Sequence, residues 1–430
     1  MAHPNCTIQI YIDGEWFDAA SLDLTGDSSQ GVAAGTYFAY LPDYALKYWQ
    51  RADAAALSVN VPVTLDEQQP AGWPAFLVDL LPQGYGRKEL LRHMGRDENA
   101  GPSADWALLR AGAGNPIGNL RVKEAHEFVA SQSGQVTRGF TMEQVASRAG
   151  DFNEYLAQHG LFLAGSSGVQ GEWPKILLTL AKDGLLYLDH TLPDSEAAQH
   201  FIVKFGRGTD QALVDILQLE APYMRLASKL GLRVFADLEL RDRALFIPRF
   251  DREVVDGQVL RLGQESIASL CEMSGFDRVP SHNQVCRRLG KIALDPTREV
   301  IEYIKRDIAN IALQNKDNHG RNTAIQRRPD GTVCLTPLFD FAAMWLHPDG
   351  IARRIRWDED DGGAPTWSSV ISQACAAAGL DVADVTPEVQ LMAGPMATIL
   401  DEARSLGVEE HFLAPLKKSV ANVLSQLEAL

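Results

Sequence analysis

Residues 315–322 read Asn315-Lys-Asp317-Asn-His-Gly-Arg-Asn322, a polar run set between two apolar segments. Upstream, Val300, Ile301, Ile304, Ile308, Ile311 and Ala312 keep helical spacing on one face, which predicts a buried helix ending where the polar run begins. Asp317 and Asn322 stand five positions apart. A carboxylate can take the proton of an attacking hydroxyl, and an amide oxygen at that separation can bind Mg²⁺; this is the spacing of a phosphoryl-transfer catalytic loop. Eighteen residues after Asn322, Asp340-Phe-Ala follows the apolar run Cys334-Leu-Thr-Pro-Leu-Phe339. An Asp at the end of an expected strand, followed by Phe, matches the second metal ligand. One Asp and one Asn suffice, because Mg²⁺ completes its shell with water and phosphate oxygens.

Working outward, the same chemistry also needs a cover for the phosphates and a cation. The candidate cover is Gly165-Ser-Ser-Gly-Val-Gln-Gly171, where glycines let backbone N–H groups approach phosphate oxygens. It precedes an expected hairpin, Lys175–Leu180 with 184–189. The candidate cation is Lys204, near the end of an expected strand at His200–Phe205, and Glu220 in the next helix is the expected partner for that lysine. That helix, 212–230, should be closed by Gly231. Further strands are expected at 234–240 and 244–248. Nearer the start, residues 7–12 and 56–63 alternate as strands do. A helix from 74 to 94 should break at Pro82-Gln83-Gly84, and a turn from Gly112 should feed a strand at Asn119–Val122. The polar stretch Glu127–Thr141 marks the main boundary. A β-rich segment with one helix, then a helix-rich one, is the layout of a two-lobed kinase.

The net charge of −16 argues against a broad direct nucleic-acid footprint, and Arg287-Arg288 and Arg353-Arg354 are too short to supply one. With 46% hydrophobic and 22% charged residues, the composition is that of a globular protein. No apolar run approaches the ~20 residues of a membrane span. The opening Met1-Ala-His-Pro-Asn-Cys6 lacks the pattern of a signal peptide. Cys6, Cys271, Cys286, Cys334 and Cys375 lack metal spacing, so reduced thiols and a cytoplasmic location are expected. Gly112-Ala-Gly-Asn-Pro-Ile-Gly118 is one residue too long for a dinucleotide loop, no Walker A sequence occurs, and the ten histidines are scattered.

Several of these motifs together resemble the HipA toxin family. Asp317-Asn-His-Gly-Arg-Asn322 is similar to its Asp-x-His-x-Lys-Asn signature, with Arg321 in place of Lys. Ser167-Gly-Val-Gln170 with Pro174-Lys175 resembles its phosphate loop, His200-Phe-Ile-Val-Lys204 its lysine strand, and Arg249-Phe-Asp-Arg252 its segment after the hinge. Phe38-Ala-Tyr40, Asp43-Tyr44, Leu57-Ser58 and Leu80-Leu-Pro-Gln-Gly84 resemble its N-terminal domain. The resemblance implies an α+β, protein-kinase-like fold with two lobes. Residues 1–140 would form a β-rich N-terminal domain, 141–248 the small lobe, and 249–430 a helical large lobe. It implies an ATP- and Mg²⁺-dependent serine/threonine-protein kinase that halts growth by phosphorylating a cellular protein, in the best-known members an aminoacyl-tRNA synthetase. It also implies a small helix-turn-helix antitoxin as partner, with DNA reached only through it and no membrane.

The resemblance assigns catalytic roles to Asp317, Lys204 and His319. It assigns ATP contacts to Ser167, Gly168, Val169, Gln170, Lys175, Lys204, Glu220, Arg249 and Phe250, and metal binding to Asn322 and Asp340. The sequence departs from the pattern by inserting Gly171-Glu-Trp173 into the phosphate loop, where Trp173 is expected to pack the loop down. Gly165 stands where many relatives carry an autophosphorylated serine, which leaves Ser167, and then Ser166, as candidates for that modification. Two other readings compete: a catalytically weak kinase-fold scaffold for an antitoxin or nucleoprotein complex, and a small-molecule phosphotransferase.

Overall fold

The computed structural model describes residues 5–132, 137–158, 173–206 and 208–430. The chain divides into two compact units. The first comprises Met1–Gly206, Arg241–Arg278 and Gln326–Thr332; the second comprises Arg207–Leu240, Val279–Ile325 and Val333–Leu430.

The first unit holds two sheets. β1 (Asn5–Ile12) and β2 (Glu15–Leu24) form a hairpin around Asp13-Gly14, both at positive φ, as an Asp-Gly two-residue turn requires. β3 (Thr36–Tyr40) and β4 (Leu120–Val122) complete an antiparallel sheet in the order β3-β2-β1-β4. Ile8, Ile10 and Ile12, alternate residues of β1, lie in one buried core cluster with Trp73, Leu77, Leu108 and Leu109. The expected break at 82–84 is present: one helix is Ala75–Leu80 and the next Gly84–His93. Residues 56–63 do not form a strand. They are turns closed by a single Ser58–Val61 bridge, since Pro62 has no N–H for a ladder. The polar stretch after Glu127 is also less irregular than its composition suggests, because a helix spans Lys123–Gln132.

In the second sheet, β5 (Lys175–Ala181) pairs antiparallel with β6 (Leu186–Leu188) on one side and β7 (Ala197–Phe205) on the other. The strand Ala244–Pro248 lies beyond β7. Its apolar face, with Ile176, Leu178, Phe201, Val203 and Phe246, packs with Phe140, Phe152 and Tyr155. Of the strand expected at 234–240, only Glu239–Arg241 is extended.

The second unit is mainly helical. Gln211–Lys229 ends before Gly231 at φ +78, the left-handed conformation expected of a helix stop. The central helix, Pro296–Ala312, starts with Asp295 accepting from the Arg298 N–H and with Pro296 in its first turn. Val300, Ile304, Ile308 and Ala312 are buried as expected, whereas Ile301 and Ile311 are half-buried. The apolar run at 334–339 is a strand only over Val333–Leu335, and Pro337 ends the ladder. Among the described residues, no helix is long and apolar enough to cross a membrane, and the five cysteines are free thiols.

Candidate active site

The central helix delivers the polar loop. After Leu313, Gln314 takes φ +53 and turns the chain out of the helix. The Asn322 side-chain N–H donates to the Asp317 carbonyl at 2.9 Å, and the Asn322 backbone N–H to the His319 carbonyl at 2.9 Å. The five-residue spacing therefore closes a compact loop. With its amide nitrogen committed inward, the Asn322 side-chain oxygen remains as a hard donor.

His319 sits at the loop's crest. Its Nδ1 accepts the Arg321 backbone N–H at 3.2 Å, so the proton of the neutral ring lies on Nε2. That atom is 3.7 Å from Asp317 Oδ1, and the Asp317 side chain keeps 24% of its surface open. Burial lowers the His319 pKa below its ordinary value, and the attraction of Asp317 and Asp340 does not offset this. Asp340 thus lies within electrostatic reach of the same ring. It adopts φ +53, uncommon for a residue with a Cβ. Around it, Phe341, Ala342 and Ala343 are buried, Phe341 against Tyr223 of the helix Gln211–Lys229 at 5.8 Å. The Leu338 N–H donates to the Arg233 carbonyl at 2.7 Å. Packing on both sides holds the unusual conformation.

Two supports for this loop were not foreseen in the sequence. Asn318 Oδ1 accepts the N–H groups of Arg354 (2.7 Å) and Ile355 (3.3 Å), while its Nδ2 donates to the Ile355 carbonyl (3.0 Å). The residue next to Asp317 is thereby tied to a strap of irregular backbone. Asp307 on the central helix anchors that strap in turn: it accepts from Arg353 at 2.9 and 3.1 Å and from Trp357 Nε1 at 2.9 Å. Asp361 takes the other Arg353 nitrogen at 3.0 Å.

The remaining candidates fall into separate places. Ser166, Ser167, Gly168, Val169 and Gln170 lie outside the described residues. In the first unit, Lys175 and Lys204 stand directly opposite in the β5–β7 register and so share one face of the sheet. Lys204 is 3% exposed, and its Nζ lies 5.2 Å from the ring centroid of the buried Trp173. Two like charges facing each other favour a negative group nearby. Phe250 is half-buried there, its carbonyl accepting from Gln326 at 3.1 Å. In the second unit Glu220 is 1% exposed, so it is not a solvent-facing helix residue.

Arg249 has a different setting from the other ATP candidates. Its side chain is fully buried and its guanidinium is committed to Asp251 (2.9 and 2.7 Å) and Asp189 (3.3 Å). Arg252 also donates to Asp251, at 2.7 Å, as does the Gly118 N–H at 2.8 Å. The Arg-Phe-Asp-Arg segment therefore forms a buried ion cluster inside the first unit.

The family model for the HipA-like C-terminal domain matches residues 167–401, more than half of the chain. The chain belongs to the HipA-like family. The family's HipA N-terminal domain matches residues 28–123 of the same chain. The HipA-like chain is 27% identical over 289 residues to the Sinorhizobium fredii protein Y4mE, provisionally named a kinase. That match covers 61% of this chain and 63% of the relative, so it spans less than two thirds of that protein. The solved Shewanella oneidensis HipA, in a complex with HipB and its operator DNA, is similar over 99% of this chain and 97% of its own. The TM-score is 0.65 at 19% identity, a likeness of fold.

Proposed function

We propose that this HipA-like chain is an ATP- and Mg²⁺-dependent serine/threonine-protein kinase and the toxin of a toxin–antitoxin pair. The observation that carries the reading is the closed loop in which Asn322 holds the Asp317 backbone while His319 faces Asp317 and feels Asp340. Asp317 would accept the proton of the substrate hydroxyl, and the neutral His319 would hold that carboxylate in place. Among the described residues no group of three or more His, Cys, Asp and Glu gathers as a metal cage. One carboxylate, Asp340, and one amide oxygen, that of Asn322, fit Mg²⁺, which takes one or two carboxylates and leaves its other positions to water and phosphate. Asp340 and the Asn322 oxygen would hold it, and the bound Mg²⁺·ATP would supply the phosphoryl group with its charge neutralised. Lys175 and Lys204 are the cations suited to the nucleotide's phosphates.

The Shewanella oneidensis HipA, seen with HipB and operator DNA, supports a small helix-turn-helix antitoxin as this chain's partner. A net charge of −16 suits contact with DNA through that partner rather than directly. A thermal-shift assay separates the kinase from a catalytically weak scaffold. Mg²⁺·ATP at about 100 times its Kd should stabilise the protein by about 2.7 kcal/mol. A melting temperature indifferent to Mg²⁺·ATP would favour the scaffold.

A further inference from the structure

Arg353-Arg354-Ile355-Arg356 places three arginines in four positions, and their surroundings differ. Arg353 is spent on Asp307 and Asp361, and Arg356 lies 3.3 Å from Asp361. Arg354, between them, is exposed, and its guanidinium has no hydrogen bond or ion pair among the described residues. Its backbone is nevertheless fixed, because its N–H donates to Asn318 Oδ1 at 2.7 Å and Asn318 adjoins Asp317. The Arg321 and Arg354 charges act on His319 against those of Asp317 and Asp340. An exposed arginine on an ordinary surface is solvated and means little. This one is tied through its backbone to Asn318, the neighbour of Asp317, on a chain of net charge −16, where an approaching acidic segment would otherwise be repelled.

We propose that Arg354 is a specificity-determining residue that pairs with an acidic side chain flanking the phosphate-accepting Ser or Thr of the substrate. The proposal rests on the kinase reading above. A guanidinium offers a planar pair of N–H donors that fits a carboxylate bidentately, and its pinned backbone lowers the cost of ordering it. A nucleotide phosphate could satisfy the same chemistry, so the test separates the two sources.

The full-length protein is incubated with Mg²⁺·ATP and synthetic Ser/Thr peptides identical except for Asp/Glu, Ala or Lys beside the hydroxyl. Wild type should favour acidic flanks over neutral ones about tenfold in kcat/KM, mostly through KM. Arg354→Ala should level that preference, Arg354→Glu should turn it towards Lys flanks, and Arg354→Lys should keep part of it. Reversal by Arg354→Glu is a gain for one peptide class, which misfolding cannot produce. A preference for acidic flanks that survives Arg354→Glu overturns the proposal. So does a wild type that binds Mg²⁺·ATP but modifies none of the peptides. A tenfold loss of Mg²⁺·ATP affinity in Arg354→Ala, read by calorimetry, would assign the anion to the nucleotide instead. Failure of the wild type to bind Mg²⁺·ATP at all would strike the kinase reading itself.

Discussion

Asp251→Asn removes one charge and keeps the shape of the side chain. In the folded protein this carboxylate accepts from Arg249 Nε and Nη2, from Arg252 and from the Gly118 N–H, all at 2.7–2.9 Å. Burial opposes its ionisation, but the Arg249 and Arg252 guanidiniums outweigh that and hold its pKa well below the ordinary carboxylate value. Two buried arginines then face Asp189 as their remaining carboxylate in this cluster. Breaking a buried ion pair from one side costs about 3–5 kcal/mol. At roughly 2–4 °C per kcal/mol for a unit of this size, the melting temperature should fall by about 6 °C or more. Removing both partners, in Arg249→Met with Asp251→Asn, should cost less than the sum of the single changes. The same stability should fade in wild type as pH falls below the unfolded carboxylate pKa of about 4, since the folded pKa is depressed. Thermal and urea melts of the four proteins decide the matter. A loss under about 1 kcal/mol for Asp251→Asn, or strictly additive effects, would refute the ion-cluster account of this segment.

Other outcomes concern the metal ligands, a buried histidine and the phosphate loop. Asp340→Ala should abolish, and Asn322→Ala weaken, the Mg²⁺ dependence of ATP binding while both proteins stay folded; equal affinity in EDTA and Mg²⁺ by calorimetry would unseat both ligands. His282 is buried against Trp357 at 4.8 Å with Tyr303 Oη at 2.8 Å, and burial depresses its pKa despite Asp307 and Asp361, with Arg353 and Arg356 acting in the same sense as burial. Its contribution is therefore present above the unfolded His pKa of about 6.5 and lost as pH falls below it. His282→Gln should flatten the acid limb of melting temperature against pH, and an unchanged limb would exonerate His282. Self-modification should fall on Ser167 or Ser166; mass spectrometry after incubation with Mg²⁺·ATP should find a phosphopeptide over 160–175 in wild type and none in Asp317→Asn.

The loop Asn315–Asn322 and the helix before it were legible because both signals are local: helical spacing, then a polar exit with fixed intervals. What surrounds them was not. Glu302, Arg306 and Asp307 are charged positions set among the apolar ones, yet all three are buried. Arg306 donates to Glu302 and to the Thr336 carbonyl, and Asp307 accepts from Arg353 and Trp357. Partners 30 to 50 residues away leave no trace in a window of helical length. Asn318 illustrates the same limit, since its value lies in pairing with backbone at 354–355 rather than in its own spacing. Residues 56–63 misled in the other direction. Their alternation is real, but Tyr40 and Glu265 draw the segment's N–H groups away from any strand partner. Arg249 and Glu220 show that a charged residue near a motif need not face solvent.

The central claim is that Asp317 catalyses phosphate transfer from ATP to protein. Purified wild type and Asp317→Asn, each with γ-labelled ATP and Mg²⁺, should be incubated with a cell lysate and the labelled proteins separated. Wild type should label at least one band, and Asp317→Asn, folded by its melting curve, should lower that labelling by several orders of magnitude, about 10²–10⁴-fold from loss of the base alone. Equal labelling by the two proteins would contradict the account.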